Sequence, residues 1–73
     1  MSTPQTIDAS GLSCPQPVLL FLQAVKAAPD GEFIVIVDNE ASRENVSRAA
    51  HTRGFTVEPQ DMDGGLCRLA IHK

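Results

Sequence analysis

The sequence lacks the features typical of nucleic-acid binders, membrane proteins and secreted proteins. It has six basic and nine acidic residues and a formal net charge of −3, whereas a nucleic-acid binder needs a basic surface. No apolar run approaches the ~20 residues that a membrane-spanning helix requires. The first residues, MSTPQTIDAS, contain neither a basic start nor a hydrophobic stretch. We therefore expect no signal peptide and a cytoplasmic location.

Cysteine is also scarce, and the potential metal ligands are not spaced as a metal site requires. The two cysteines, Cys14 and Cys67, form no CxxC pair. A disulfide between them is not expected, because cytoplasmic thiols stay mostly reduced. His51 and His72 add no paired spacing of the kind that zinc sites show. We therefore expect neither a metal nor any other cofactor.

The chain is too short to enclose a deep substrate cavity. Its 73 residues allow one domain, which we expect to span residues 1–73, and such a domain buries only ~60% of its unfolded surface. No histidine or acid lies within a few residues of Cys14 to act as a base, as a thiol hydrolase would need. We expect any chemistry at Cys14 to occur at the surface and with a partner protein.

The apolar pattern predicts a small α+β protein with the element order β-α-β-α-β-β. Strands are predicted at 5–10, 33–37, 55–62 and 66–73, with a hairpin turn at 63–65. The first helix shows its apolar periodicity over 18–28 and has Pro15 at its first position. The second helix lies between the cap-rich residues 38–42 and Gly54. We expect a two-layer sandwich in which both helices pack on one face of a four-stranded mixed sheet. Its first two strands should be parallel, and its last two should form an antiparallel hairpin.

The first helix also carries a predicted docking surface. Its core-facing positions are predicted to centre on Val18, Leu22 and Val25. Leu20 would then lie on the solvent side with Gln16 and Gln23, one to two turns from Cys14. An apolar side chain between two glutamines suits weak, repeated encounters, so we predict that these three residues contact a partner.

Cys14 directly precedes the predicted helix, and this position favours an ionised thiol. Unpaired N–H groups and the positive end of the helix dipole converge at an N-cap. That field is worth ~0.3–1 kcal/mol, or up to ~2 when partly buried, and would lower the thiol pKa from ~8.5 by roughly half a unit to one and a half units. Pro15 and Pro17 fix φ in the first turn. From position alone, a buried packing cysteine is an equal alternative for Cys14, whereas Cys67 shares a strand face with Leu69 and Ile71 and should be buried.

The stretch DASGLSCPQPVLL resembles the D-x-x-G-L-x-C-P-x-P-V signature of the TusA/SirA/YedF family of small sulfur-carrier proteins. The stretch VDNEASRENVSRAAHTRGF is most similar to the YedF branch, and the resemblance extends over nearly the whole chain. It implies that Cys14 accepts sulfane sulfur as a persulfide and passes it to another protein.

The same resemblance assigns supporting residues and partners. The motif residues are Asp8, Gly11, Pro15 and Pro17, with Asp38 as an additional candidate. The two aspartates would either hold the loops around the cysteine or cap neighbouring elements. The implied donor is a cysteine desulfurase or a rhodanese, and the implied recipient is a sulfur-acceptor protein. We expect a monomer without direct contact to nucleic acid or membrane. Two other functions stay open, a non-catalytic interaction or regulatory module and a redox-sensing thiol protein.

Overall fold

Four strands and two helices make up the part of the chain that the structure, a computed structural model, describes, residues 4–12 and 16–73. The strands are β1 (Gln5–Asp8), β2 (Phe33–Val37), β3 (Thr56–Asp61) and β4 (Cys67–His72), and the helices are α1 (Gln16–Ala27) and α2 (Glu40–Thr52). The predicted order β-α-β-α-β-β and the α+β class are confirmed. Among these residues no helix is long and apolar enough to cross a membrane.

The strands form one mixed sheet in the order β1-β2-β4-β3. β1 and β2 are parallel, as expected for two strands joined through a helix. β4 runs antiparallel to both β2 and β3. β3 lies at an edge, where Pro59 and its missing N–H are tolerated. The predicted hairpin turn between β3 and β4 is a short 3₁₀ turn at Asp63–Gly65.

The core lies between the sheet and the two helices, and three phenylalanines occupy its centre. Phe21 comes from α1, Phe33 from β2, and Phe55 from the segment before β3; none is more than 4% exposed. Their rings meet edge to face with centroids 5.7 to 6.0 Å apart. Such pairs contribute ~0.5–1.5 kcal/mol each beyond the burial of apolar area. This cluster joins α1 to both halves of the sheet.

The predicted phase of α1 is wrong. Its buried residues are Pro17, Phe21, Ala24 and Val25. Leu20, predicted to be exposed, is half-buried and packs against the core. Leu19 is instead 45% exposed. The five consecutive apolar residues from Val18 to Leu22 contain no polar side chain that would fix the phase, so the periodicity is ambiguous there. The predicted exposure of Gln16 and Gln23 is confirmed.

Both ends of α2 have regular capping geometry. Asn39 is the N-cap, and its side-chain oxygen accepts a hydrogen bond of 2.8 Å from the Ser42 N–H. At the other end Gly54 has a φ of +85°. The Gly54 and Phe55 N–H groups bind the carbonyls of His51 and Ala50 at 3.0 and 2.9 Å. This is a Schellman motif, and it directs Phe55 into the core.

Candidate functional site

The motif residues outside the cysteine meet at the end of the sheet where the parallel strands β1 and β2 finish. Asp8 is the last residue of β1, and Asp38 follows the last residue of β2. The Ala9 N–H still binds the Ile36 carbonyl at 2.8 Å, so the strand pairing extends one residue beyond β1. Residues 9–12 lead from this point toward Cys14. Cys14 and Pro15 lie outside the described residues, and their predicted roles stay predictions.

Residues 9–12 form a tight turn that requires a residue like Gly11. The Leu12 N–H binds the Ala9 carbonyl at 3.3 Å, and Gly11 has a φ of +79°. A positive φ at this third position is typical of a type II turn. No atom lies within 4 Å of where a Cβ on Gly11 would be. Backbone conformation, and not lack of space, therefore favours glycine here.

Asp38, which directly follows the neighbouring strand β2, holds this turn. Its Oδ2 accepts a hydrogen bond of 2.6 Å from the Gly11 N–H, which lies 27 residues earlier in the chain. Its Oδ1 accepts a second bond of 2.9 Å from the side-chain amide of Asn39. These bonds, with the Gly11 N–H the stronger, lower the pKa of the Asp38 carboxyl below its ordinary value of 3.8. Asp38 is therefore ionised at neutral pH and binds the turn, while Asn39 caps α2.

Asp8 holds the same turn from within its own segment. Its Oδ1 accepts a hydrogen bond of 2.6 Å from the Ser10 hydroxyl and another of 3.1 Å from the Ser10 N–H. These two bonds lower the pKa of the Asp8 carboxyl, and the bond from the hydroxyl has the larger effect. This is an Asx turn, in which an aspartate binds the backbone two residues further on. Both motif aspartates thus bind the loop that precedes Cys14.

An open cleft of about 410 Å³ lies beside this end of the sheet, between the start of α2 and the loop that joins β3 to β4. Its walls include Asp38, Arg43, Asp61, Met62 and Cys67. With Glu40, these walls carry three carboxylates and one arginine among the described residues. The predicted burial of Cys67 is confirmed, since this residue is 8% exposed. Within residues 4–12 and 16–73, no three His, Cys, Asp or Glu side chains cluster as metal ligands would.

Two contributors to the turn were missed by the sequence analysis. Ser10 binds Asp8, and Asn39 binds Asp38. The Asp-x-Ser spacing of an Asx turn could have identified Ser10. Asn is a preferred N-cap residue, and Asn39 lies in the cap-rich stretch 38–42 that precedes the second predicted helix. Both signals were present in the sequence.

The structure also places the remaining site candidates on α1. Pro17 is the second residue of α1 and is fully buried, so it anchors the start of the helix. Gln16 and Gln23 are exposed. The half-buried Leu20 does not join them on the solvent side. The structure therefore does not bring the predicted docking residues together as one exposed surface.

Comparison with known proteins identifies the family. A sequence model of the family described as sulfurtransferase TusA matches residues 5–73. The chain belongs to the TusA/SirA-like family of sulfur carriers. This TusA-like chain is 33% identical over 73 residues to the sulfur carrier protein TusA of Pseudomonas putida, with 97% of this chain and 91% of that protein covered.

Two further relatives agree with this assignment. A candidate sulfur carrier protein of Methanocaldococcus jannaschii is 32% identical over 68 residues, covering 92% of this chain and 91% of that protein. The crystal structure of a SirA-like protein from Desulfitobacterium hafniense superposes with a TM-score of 0.85 at 35% identity, covering 90% of this chain and 92% of the other. The family resemblance and the fold of the TusA-like chain are thereby confirmed. The closer similarity to the YedF branch stays a prediction.

Proposed function

We propose that this protein carries sulfane sulfur on Cys14 as a persulfide. The donor is a cysteine desulfurase or a rhodanese, and the recipient is an acceptor protein. The observation that supports the proposal is the turn at residues 9–12, shortly before Cys14, which Asp38 binds from the end of β2. The chain also matches a sulfurtransferase family over residues 5–73.

The chemistry is an exchange of one sulfur atom between thiols. The Cys14 thiolate attacks the outer sulfur of the donor's persulfide. A new S–S bond forms to Cys14, the donor's S–S bond breaks, and its electron pair leaves with the donor thiolate. In the second step an acceptor thiolate attacks the outer sulfur on Cys14, and the Cys14 thiolate departs. Neither step changes the total oxidation state, so no external oxidant or reductant is required.

A lowered thiol pKa would assist Cys14 in both steps. It raises the fraction of thiolate available for attack, and it makes Cys14 a better leaving group in delivery. α1 begins at Gln16, two residues after Cys14, and the N–H groups of its first turn have no partner within the helix. The proposed source of the lowered pKa is this helix terminus.

Cys14 lies in the sequence between the turn at residues 9–12 and α1. Leu12 closes the turn on one side, and α1 begins at Gln16 on the other. We propose that Cys14 enters a partner's active site from this short segment.

The proposal is tested with two donor systems that supply labelled sulfur. One is a cysteine desulfurase with labelled L-cysteine, and the other is a rhodanese with labelled thiosulfate. We expect wild type and Cys67→Ser to take up label that dithiothreitol removes, and Cys14→Ser to take up none. Serine is a good N-cap, so Cys14→Ser should keep the circular dichroism spectrum of the folded protein. Equal labelling of a folded Cys14→Ser variant would refute the proposal.

A further inference from the structure

The face of the sheet opposite the helices has no second layer among the described residues. On β2 and β4 the fully buried side chains alternate with half-buried ones. Because alternate side chains of a strand point to opposite faces, the half-buried ones point away from α1 and α2. The apolar centre of this surface consists of Ile34, Ile36 and Ala70. We call the surface the open sheet face.

The open sheet face contains a shallow depression next to a large apolar side chain. The depression has a volume of about 380 Å³, and its walls include Ile34, Glu58, Arg68, Ala70 and His72. Ile34 and Ala70 are direct partners across the ladder between β2 and β4. A large and a small apolar side chain therefore lie side by side at the centre of the face.

The open sheet face also carries a positive and a negative charge that do not pair with each other. His72 and Glu58 already bind one another at 2.8 Å. Arg68 donates a long hydrogen bond of 3.4 Å to Gln60 and forms no ion pair among the described residues. Asp8 lies in the same row of the sheet as Arg68 but two strands away, a separation of about 10 Å.

A second copy of the chain, turned about a two-fold axis parallel to the strands, complements both features. The strand order is β1-β2-β4-β3, so an axis between β2 and β4 lays β2 of each copy over β4 of the other. Such an axis keeps each row at the same position along the strands. Ile34 of one copy then lies over Ala70 of the other, and Arg68 lies one strand from Asp8 of the other. Aligned packing of this kind is a common arrangement of two sheets.

We propose that two copies of this chain associate through the open sheet face. This inference does not rest on sulfur transfer, and it differs from the monomer expected from the sequence. Self-complementarity selects a second copy as the occupant, because the face presents both the large and the small side chain and both signs of charge. An axis perpendicular to the strands would instead bring Arg68 of each copy toward His72 of the other.

Sedimentation equilibrium of the purified protein measures the association at concentrations from about 0.01 to 1 mM. Arg68→Glu places a second negative charge beside Asp8 of the other copy. Ile34→Thr removes apolar area and keeps a β-branched side chain in the strand. Arg48→Glu is the matched control, because it makes the same charge change on α2, on the other side of the molecule. Thermal melts check that each variant is folded.

We expect a weak dimer, because each copy contributes only three apolar side chains to the centre of the interface. The wild-type Kd should be on the order of 0.1 mM. Arg68→Glu and Ile34→Thr should each raise it about tenfold, and Arg48→Glu should change it by less than about twofold. Added salt should raise the wild-type Kd and lower that of Arg68→Glu, because it screens attraction in the first and repulsion in the second.

Methyl NMR spectra identify the surface through which the copies meet. As the concentration of the wild type rises, the methyl signals of Ile34 and Ala70 should shift, whereas those of Leu19 on α1 should not. In a mixture of labelled and unlabelled protein, an isotope-filtered nuclear Overhauser effect should join Ile34 of one copy to Ala70 of the other.

Three outcomes would overturn the inference. The first is a wild-type protein that stays monomeric at about 1 mM, well above the expected Kd. The second is association in which the methyl shifts are confined to α1 and α2, which would exclude the open sheet face. The third is an equal rise in Kd for Arg48→Glu and Arg68→Glu, which would assign the effect to the total charge of the protein. The sulfur-carrier proposal is tested separately, by the loading of Cys14.

Discussion

Gly11→Ala tests whether the turn before Cys14 is held in the conformation described. At a φ of +79°, an alanine costs about 1–2 kcal/mol because its Cβ crowds the backbone. Steric conflict with the rest of the protein adds nothing, since no atom lies within 4 Å of the added methyl group. For a domain of this size the Tm falls by about 4–8 °C per kcal/mol, so we expect a loss of roughly 4–16 °C.

Gly54→Ala provides a matched control for the same strain. Gly54 has a φ of +85° and equally open space around its Cβ position, but it ends α2, far along the chain from Cys14. Both variants should lose similar stability. Sulfur loading, measured as an initial rate well below either Tm, should slow only in Gly11→Ala, because only that change disturbs the Asp38 contact. An unchanged melt for Gly11→Ala, or equal slowing in Gly54→Ala, would refute this reasoning.

Three further predictions concern α1 and the exposed ionisable groups. In a urea melt, Leu20→Ala should lower the free energy of unfolding by about 1–2 kcal/mol, which is part of the loss typical of a fully buried leucine. Leu19→Ala should lower it by less than about half a kcal/mol. Equal losses for the two variants would contradict the observed phase of α1. Because the pKa of Asp38 is lowered in the folded protein, its stabilising contribution is present above pH 3.8 and is lost as the pH falls through the folded-state pKa. In an acid titration, Asp38→Asn should therefore lose less stability over that pH range than the wild type. His72 Nε2 lies 2.8 Å from Glu58 Oε2, and the hydrogen bond that the imidazole donates to this carboxylate is the main cause of its raised pKa. The stabilising contribution of His72 is fully present below pH 6.5 and is lost as the pH rises through the raised value. Melts of Glu58→Gln should therefore lack this alkaline loss, and an unchanged profile would contradict the assignment.

The order of elements could be predicted from the sequence because the strands and turns carry local signals. The run FIVIV has the β-branched composition of a buried strand, and Cys67, Leu69 and Ile71 alternate as the core face of β4. The phase of α1 could not be predicted in the same way. Val18 to Leu22 are all apolar, and the choice among them depends on how α1 packs against the sheet and α2, which no local pattern specifies.

The candidate site was predicted only in part for a similar reason. Asp8, Gly11 and Asp38 were selected by the family motif, and the sequence left open whether the aspartates bind loops or cap elements. The bond from the Gly11 N–H to Asp38 depends on the parallel register that sets Asp8 beside Ile36. That register joins segments far apart in the chain, so local sequence patterns do not determine it.

The central claim is that sulfur is carried on Cys14, and peptide mass spectrometry after enzymatic loading tests it most directly. The folded protein is loaded by a desulfurase with L-cysteine or by a rhodanese with thiosulfate, its free thiols and persulfides are alkylated, and the digest is compared with one reduced beforehand. The account predicts one additional sulfur atom on the peptide that contains Cys14, absent after reduction, and none on the peptide that contains Cys67. Additional sulfur on the Cys67 peptide alone, or on neither peptide with either donor, would contradict it.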